Sequence, residues 1–161
     1  MEIERKYLVK KLPENLESFP KHEISQGYIS VKPVIRIRRS DERYILTIKS
    51  KGTLCREEYE LDMTEEEFKK LSHKVDGNLI SKTRYKIPLS DGHTAELDIF
   101  HELFEGLMYV EVEFEDVEAA ENFEVPDFFG REVTVDKQYT NSSLSSMKKE
   151  DIRSFIENAN N

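Results

Sequence analysis

Six stretches of the chain place a Lys, Arg, Glu or Asp two positions from another polar residue, with one residue between them. Glu2, Glu4 and Lys6 open the chain. Arg36 with Arg38, Thr47 with Lys49, Lys82 with Arg84, Glu96 with Asp98, and Glu111 with Glu113 follow in that order. On a strand, residues i and i+2 point to the same face, so each pair forms a charged row while Ile37, Ile48, Thr83, Leu97 and Val112 face the other way. The basic members are donors suited to phosphate oxygens, and a guanidinium can grip two at once. The acidic members are hard oxygen ligands of the kind magnesium or manganese accepts, usually one or two carboxylates completed by phosphates and water. A cavity lined with both signs would repel a polyanion from its carboxylates unless a cation lay between them. The rows therefore suit a polyanion bound as a metal complex.

Two architectures fit such rows. One is an ordinary sheet with a solvated face. The other is a barrel with a charged interior, its apolar outside covered by helices.

The punctuation of the chain locates the elements that carry the rows. Strands are expected over 1–9, 22–31, 35–39, 44–49, 54–61, 79–89, 94–100 and 109–115, joined mostly by hairpins such as Ser40-Asp41-Glu42 and Ser90-Asp91-Gly92. Thr64 and Glu67 form a capping-box pattern ahead of Phe68, Leu71 and Val75. A short helix is expected over 116–123, an irregular stretch from Pro126 to Val135, and a last amphipathic helix over 147–159. About eight strands and three or four helices predict a mainly antiparallel α+β fold. Its form is an eight-stranded closed β-barrel with a charged interior and helices packed outside, the last helix either covering the apolar exterior or plugging one mouth of the barrel. An eight-stranded barrel has room for one small ligand.

Composition narrows the function. The 161 residues, 37% hydrophobic and 35% charged, are read as a single domain spanning 1–161. A net charge of -9 opposes diffuse attraction to nucleic acid, so no nucleic-acid partner is expected. Cys55 is the one cysteine, which excludes an intramolecular disulfide. The four histidines lack the spacing of a zinc site. No run approaches a membrane span or a signal-peptide core, so a cytoplasmic protein without a membrane partner is expected, as monomer or homodimer.

The opening Glu-x-Glu-x-Lys, the Arg-x-Arg, Lys-x-Arg and Glu-x-Asp pairs, and the closing Glu-x-Glu resemble, in type and order, the CYTH superfamily of triphosphate tunnel metalloenzymes. Arg56 with Glu58 and Glu60, and 136–141 with Lys137, extend the likeness over nearly the whole chain. The resemblance implies a tunnel in which Lys6, Arg36, Arg38, Lys49, Arg56, Lys82, Arg84 and Lys137 bind a triphosphate. It gives Glu2, Glu4, Glu111 and Glu113 to a magnesium or manganese ion, with Glu2, Glu4, Lys6 and Glu113 taking part in catalysis. Glu58, Glu60, Glu96 and Asp98 would support them. The implied reaction is metal-dependent hydrolysis of the terminal phosphoanhydride of inorganic tripolyphosphate or a nucleoside triphosphate. Adenylate cyclisation, or triphosphate binding without catalysis, are the alternatives.

Overall fold

The computed structural model describes residues 2–50 and 57–161. Among them the order is β1 (Ile3–Val9), β2 (Lys21–Val31), β3 (Val34–Ser40), β4 (Arg43–Lys49), β5 (Glu58–Met63), α1 (Glu65–Ser72), β6 (Ile80–Pro88), β7 (Thr94–His101), β8 (Met108–Phe114), α2 (Val117–Glu121), β9 (Phe129–Glu132), α3 (Asn141–Ser146) and α4 (Lys149–Ala159). The strands form one antiparallel sheet in the order β5-β4-β3-β2-β6-β7-β8-β1-β9.

Local sequence explains these boundaries. Asp41 takes a positive φ of 54° in the β3–β4 turn, and Gly92 one of 92° in the β6–β7 turn, a conformation a glycine adopts without a Cβ penalty. Thr64 accepts from the Glu67 amide at 3.1 Å while the Glu67 carboxylate accepts from the Thr64 amide at 2.9 Å, starting α1. That helix stops at Ser72, before Val75. Val75 and Leu79 instead press on Gly27 of β2.

The two faces of the sheet carry separate cores. Tyr7, Leu97, Val110, Val112 and Phe114 point outward and pack with Ala120, Phe123 and Phe129, under α2 and the chain that follows it. On the inner face, Leu8, Ile80, Phe100 and Tyr109 pack against Tyr139, Leu144, Ile152, Phe155 and Ala159 from the C-terminal segment. Register places Phe100 beside Lys82, and Tyr109 beside Asp98, so this second core shares the face of the charged rows. Helix α4 therefore packs at one end of the inner face, the second of the two places open to it from the sequence. Asn78 ties that segment down, its side-chain amide donating to the carbonyls of Leu144 at 3.0 Å and Met147 at 2.8 Å.

Among the described residues nine strands replace the expected eight, and hydrogen bonds do not close the sheet. The reason is local. Short β9 pairs with β1 through Tyr7 with Glu132 and Val9 with Phe129, taking the edge of β1 that closure onto β5 would need. No helix among the described residues is long and apolar enough to cross a membrane.

Candidate active site

Register decides which charges meet. Glu4 lies opposite Glu113 and Lys6 opposite Glu111 on β1 and β8. Glu111 lies opposite Glu96, and Asp98 opposite Arg84. On the other side, Arg38 faces Gln26, Arg36 faces both Tyr28 and Thr47, and Lys49 faces Glu58, with Glu60 facing Thr47. All these positions share one face. The Arg38 guanidinium on β3 feels the charges of Arg84 on β6 and Asp98 on β7, although β2 and β6 stand between β3 and β7. The sheet thus curls around this face, as the expected tunnel requires, although hydrogen bonds among the described residues do not close it.

Its centre is a buried ion cluster. The Lys82 ammonium donates to Asp98 Oδ2 at 2.8 Å. Arg84 grips the same carboxylate with Nε to Oδ1 at 2.8 Å and Nη2 to Oδ2 at 3.0 Å, and reaches Glu96 with Nη1 at 3.3 Å. Lys82 and Asp98 are each only 1% exposed. Burial by itself would raise the Asp98 carboxyl, but Lys82 and Arg84 outweigh it and hold it at about 2. Burial pulls the Lys82 ammonium down to about 8 against the pull of Asp98, and the guanidiniums of Arg84 and Arg38 add to that lowering. Burial, with Arg36 and Arg84 nearby, likewise lowers Arg38 to about 10. One carboxylate serves two cations here, so Arg36 and Arg38 stand as positive charge with no acidic partner among the described residues.

Beside the cluster lies an acidic end. The Glu4 carboxyl is in hydrogen-bond contact with that of Glu111, and its pKa is pushed up to about 8 by burial first, then by the charge of Glu111, with Glu2 adding. Glu111 is held below the ordinary carboxylate range; burial opposes this, and Lys6, Lys82 and Arg84 bring it about. Two carboxylates this close ionise at each other's expense, which favours a cation beside them. Lys6 anchors the pair, with Nζ 3.4 Å from Glu111 Oε1, donating to the Tyr139 carbonyl at 3.0 Å and lying 5.0 Å over the Tyr109 ring.

The remaining expected residues sit farther out. Glu2 and Glu113 are exposed on the same face as Glu4. Lys49 reaches Glu58 only at 4.0 Å, and Glu60 is exposed on the edge strand β5. Lys137 is exposed in the 3-10 turn Lys137–Tyr139 and forms no ion pair with a described residue. Arg56, like Cys55, lies outside the described residues. Three residues not picked as site residues from the sequence also occupy this face: Gln26, Tyr109 and Lys86, the last 4.0 Å from Glu96. Alternation alone could have shown Gln26, which follows Ile24 and precedes Tyr28 at two-residue steps on the strand beside Arg38.

Among the described residues, no three His, Cys, Asp or Glu side chains are gathered into a ready metal cage. The donor set still suits a hard divalent cation. The raised Glu4 carboxyl beside Glu111 marks a place where positive charge is wanted, and magnesium commonly takes one or two carboxylates and leaves its other positions to water and phosphate.

A curled antiparallel sheet with α2 on its outer face, the C-terminal helices at one end of its inner face, and carboxylates beside a basic band on that inner face define a protein of the tunnel type. The model of the CYTH domain matches residues 1–149, and the chain belongs to that family. It is 40% identical over 148 residues to an inorganic triphosphatase of Nitrosomonas europaea, covering 89% of this chain and 96% of the relative. It is 36% identical over 148 residues to an inorganic triphosphatase of Acetivibrio thermocellus, with 89% and 92% covered. A crystal structure of an inorganic triphosphatase superposes with a TM-score of 0.76 at 36% identity, covering 92% of this chain and 96% of that one.

Proposed function

We propose that this chain is a divalent-metal-dependent triphosphatase that hydrolyses the terminal phosphoanhydride of inorganic tripolyphosphate or of a nucleoside triphosphate. The observation that carries this reading is the meeting, on one inner face, of the Arg36, Arg38, Lys82 and Arg84 band with the neighbouring carboxylates Glu4 and Glu111. The two named inorganic triphosphatases that the chain resembles over most of its length support the substrate class. Packing of α4 onto the inner core, beyond the family match, supports treating 1–161 as one domain.

Glu4 and Glu111, with Glu2 and Glu113 beside them, are the residues that would hold magnesium or manganese. When bound, the cation neutralises phosphate charge and offsets repulsion between the substrate and the acidic end. The chain itself binds and orients. Arg36 and Arg38 bring unpaired positive charge to the phosphates, and Lys82 and Arg84 are fixed by Asp98 so that little reorganisation accompanies the reaction. Lys6 holds Glu111 ionised at the boundary between bases and acids. A carboxylate at that boundary can take the proton of an attacking water. Phosphoryl transfer asks for little more than such positioning and charge stabilisation.

Purified protein with magnesium or manganese should release orthophosphate from tripolyphosphate and stop releasing it in EDTA. With ATP and manganese it should give ADP and orthophosphate. Undiminished turnover in EDTA would refute the metal role, and cyclic AMP with pyrophosphate as the main products would point to the cyclase reading instead.

A further inference from the structure

Gln26 lies in the middle of the basic band, between Arg38 on β3 and the Lys82 strand, with its side chain fully buried at 0% exposure. Arg38 Nε donates to Gln26 Oε1 at 2.7 Å. A guanidinium has donors and no acceptor, so the amide atom facing it must be the carbonyl oxygen. That fixes the orientation of the amide and leaves the Nε2 hydrogens elsewhere, where they find no acceptor. Such a buried, unsatisfied donor is costly and uncommon.

The surroundings say what is missing. In register Gln26 pairs with Arg38, a cation that cannot accept a hydrogen bond, and with apolar Ile80, and the Asp98 carboxylate is taken by Lys82 and Arg84. A second unsatisfied donor, Arg36 Nε, sits on the same face two residues from Arg38. Two orphaned donors amid uncompensated positive charge call for an anionic oxygen that arrives with a ligand.

We propose that Gln26 is a substrate-binding residue: its amide nitrogen donates to a phosphate oxygen while its carbonyl sets the Arg38 guanidinium to face the same group. This rests on the triphosphatase reading above. A neutral amide serves here where a fifth cation would meet repulsion from Arg36, Arg38, Lys82 and Arg84. It also cannot be replaced by a carboxylate, which keeps the acceptor for Arg38 but turns the phosphate donor into a repelling oxygen.

The test compares wild type, Gln26→Met and Gln26→Glu in steady-state hydrolysis of tripolyphosphate with magnesium, alongside thermal melting without substrate. Wild-type turnover establishes the underlying reading; its absence would sink that reading and this inference with it. Given wild-type turnover, Gln26→Met should raise KM about tenfold with a smaller change in kcat, and Gln26→Glu should raise KM further. Neither variant should melt more than a few degrees below wild type. If Gln26 only positions Arg38, Gln26→Glu should match wild type, since the carboxylate holds the guanidinium at least as well, and that result overturns the proposal. A KM for Gln26→Met within twofold of wild type overturns it too. Should Gln26→Met fail to fold, the isosteric Gln26→Glu decides alone.

Discussion

Replacing Asp98 by Asn keeps the side chain's shape and removes the charge that Lys82 and Arg84 share. Both would then stand at the centre of the sheet with Arg36 and Arg38 close by and no anion between them. Breaking a buried pair from one side costs roughly 3–5 kcal/mol, because the remaining charge stays desolvated. The full figure applies here, since the side chains of Lys82 and Asp98 are 0% and 1% exposed. Total stabilities run to roughly 5–15 kcal/mol, so the variant should be a marginal protein. At about 2–4 °C per kcal/mol for a chain of this size, its melting temperature should fall by roughly 6–20 °C. The pH of the comparison is set by linkage. Asp98 drops from 3.8 to about 2 on folding, so its contribution is complete above 3.8 and is lost only as pH falls through about 2. Urea unfolding at pH 7 therefore reads the whole effect. Tripolyphosphate should protect the variant more than wild type, because it supplies the missing negative charge. Adding Lys82→Met should recover part of the loss, giving a double variant less unstable than the sum of the singles. A loss below about 1 kcal/mol would refute the reasoning, because it would mean that water reaches these ions and the sheet does not enclose them.

Two further outcomes follow from the geometry. The Glu4 carboxyl rises from 4.5 to about 8 on folding, so the folded chain holds an extra proton between those values and metal-free protein should lose stability as pH rises through that window. Melting in EDTA at pH 6 and pH 8.5 should show this decline, and Glu4→Gln should flatten it; an equal decline in the variant would assign it to other groups. In Gly27→Ala, the new Cβ would come 2.8 Å from both Val75 methyls and 3.0 Å from Leu79 Cδ2, so overpacking should cost roughly 1–3 kcal/mol in urea unfolding, and no loss would show that the loop yields freely.

The charged rows were legible in the sequence because a strand's period of two depends on nothing beyond the strand itself. Arg36 with Arg38 and Glu111 with Glu113 needed only alternation to be set on single faces, and pairing then put those faces together. Strand β9 was not legible. It has only four residues, follows Pro126, and exists because β1 offers it an edge. The place of α4 was equally hidden, since Ile152, Phe155 and Ala159 mark an apolar stripe but say nothing of which apolar surface it meets. Local caps fared differently. The Thr64 and Glu67 signal was correct, while the last helix has no such signal: Ser145 and Ser146 end a separate short helix, α3, and Lys148 begins α4 without a side-chain cap. For Gln26 the face was readable, but its significance came only from seeing that its nitrogen has no partner.

The inner core built by the C-terminal segment makes the two ends of the inner face unlike. Phe100, Tyr109, Ile80 and Leu8 are sealed beneath Tyr139, Leu144, Ile152 and Phe155 at one end of the strands, while Glu2, Glu4, Glu96 and Glu113 lie toward the other. A triphosphate bound on this face, as proposed above, would meet apolar side chains toward one end of the strands and carboxylates toward the other, and most of the apolar end is built by residues remote from the opening motif in sequence.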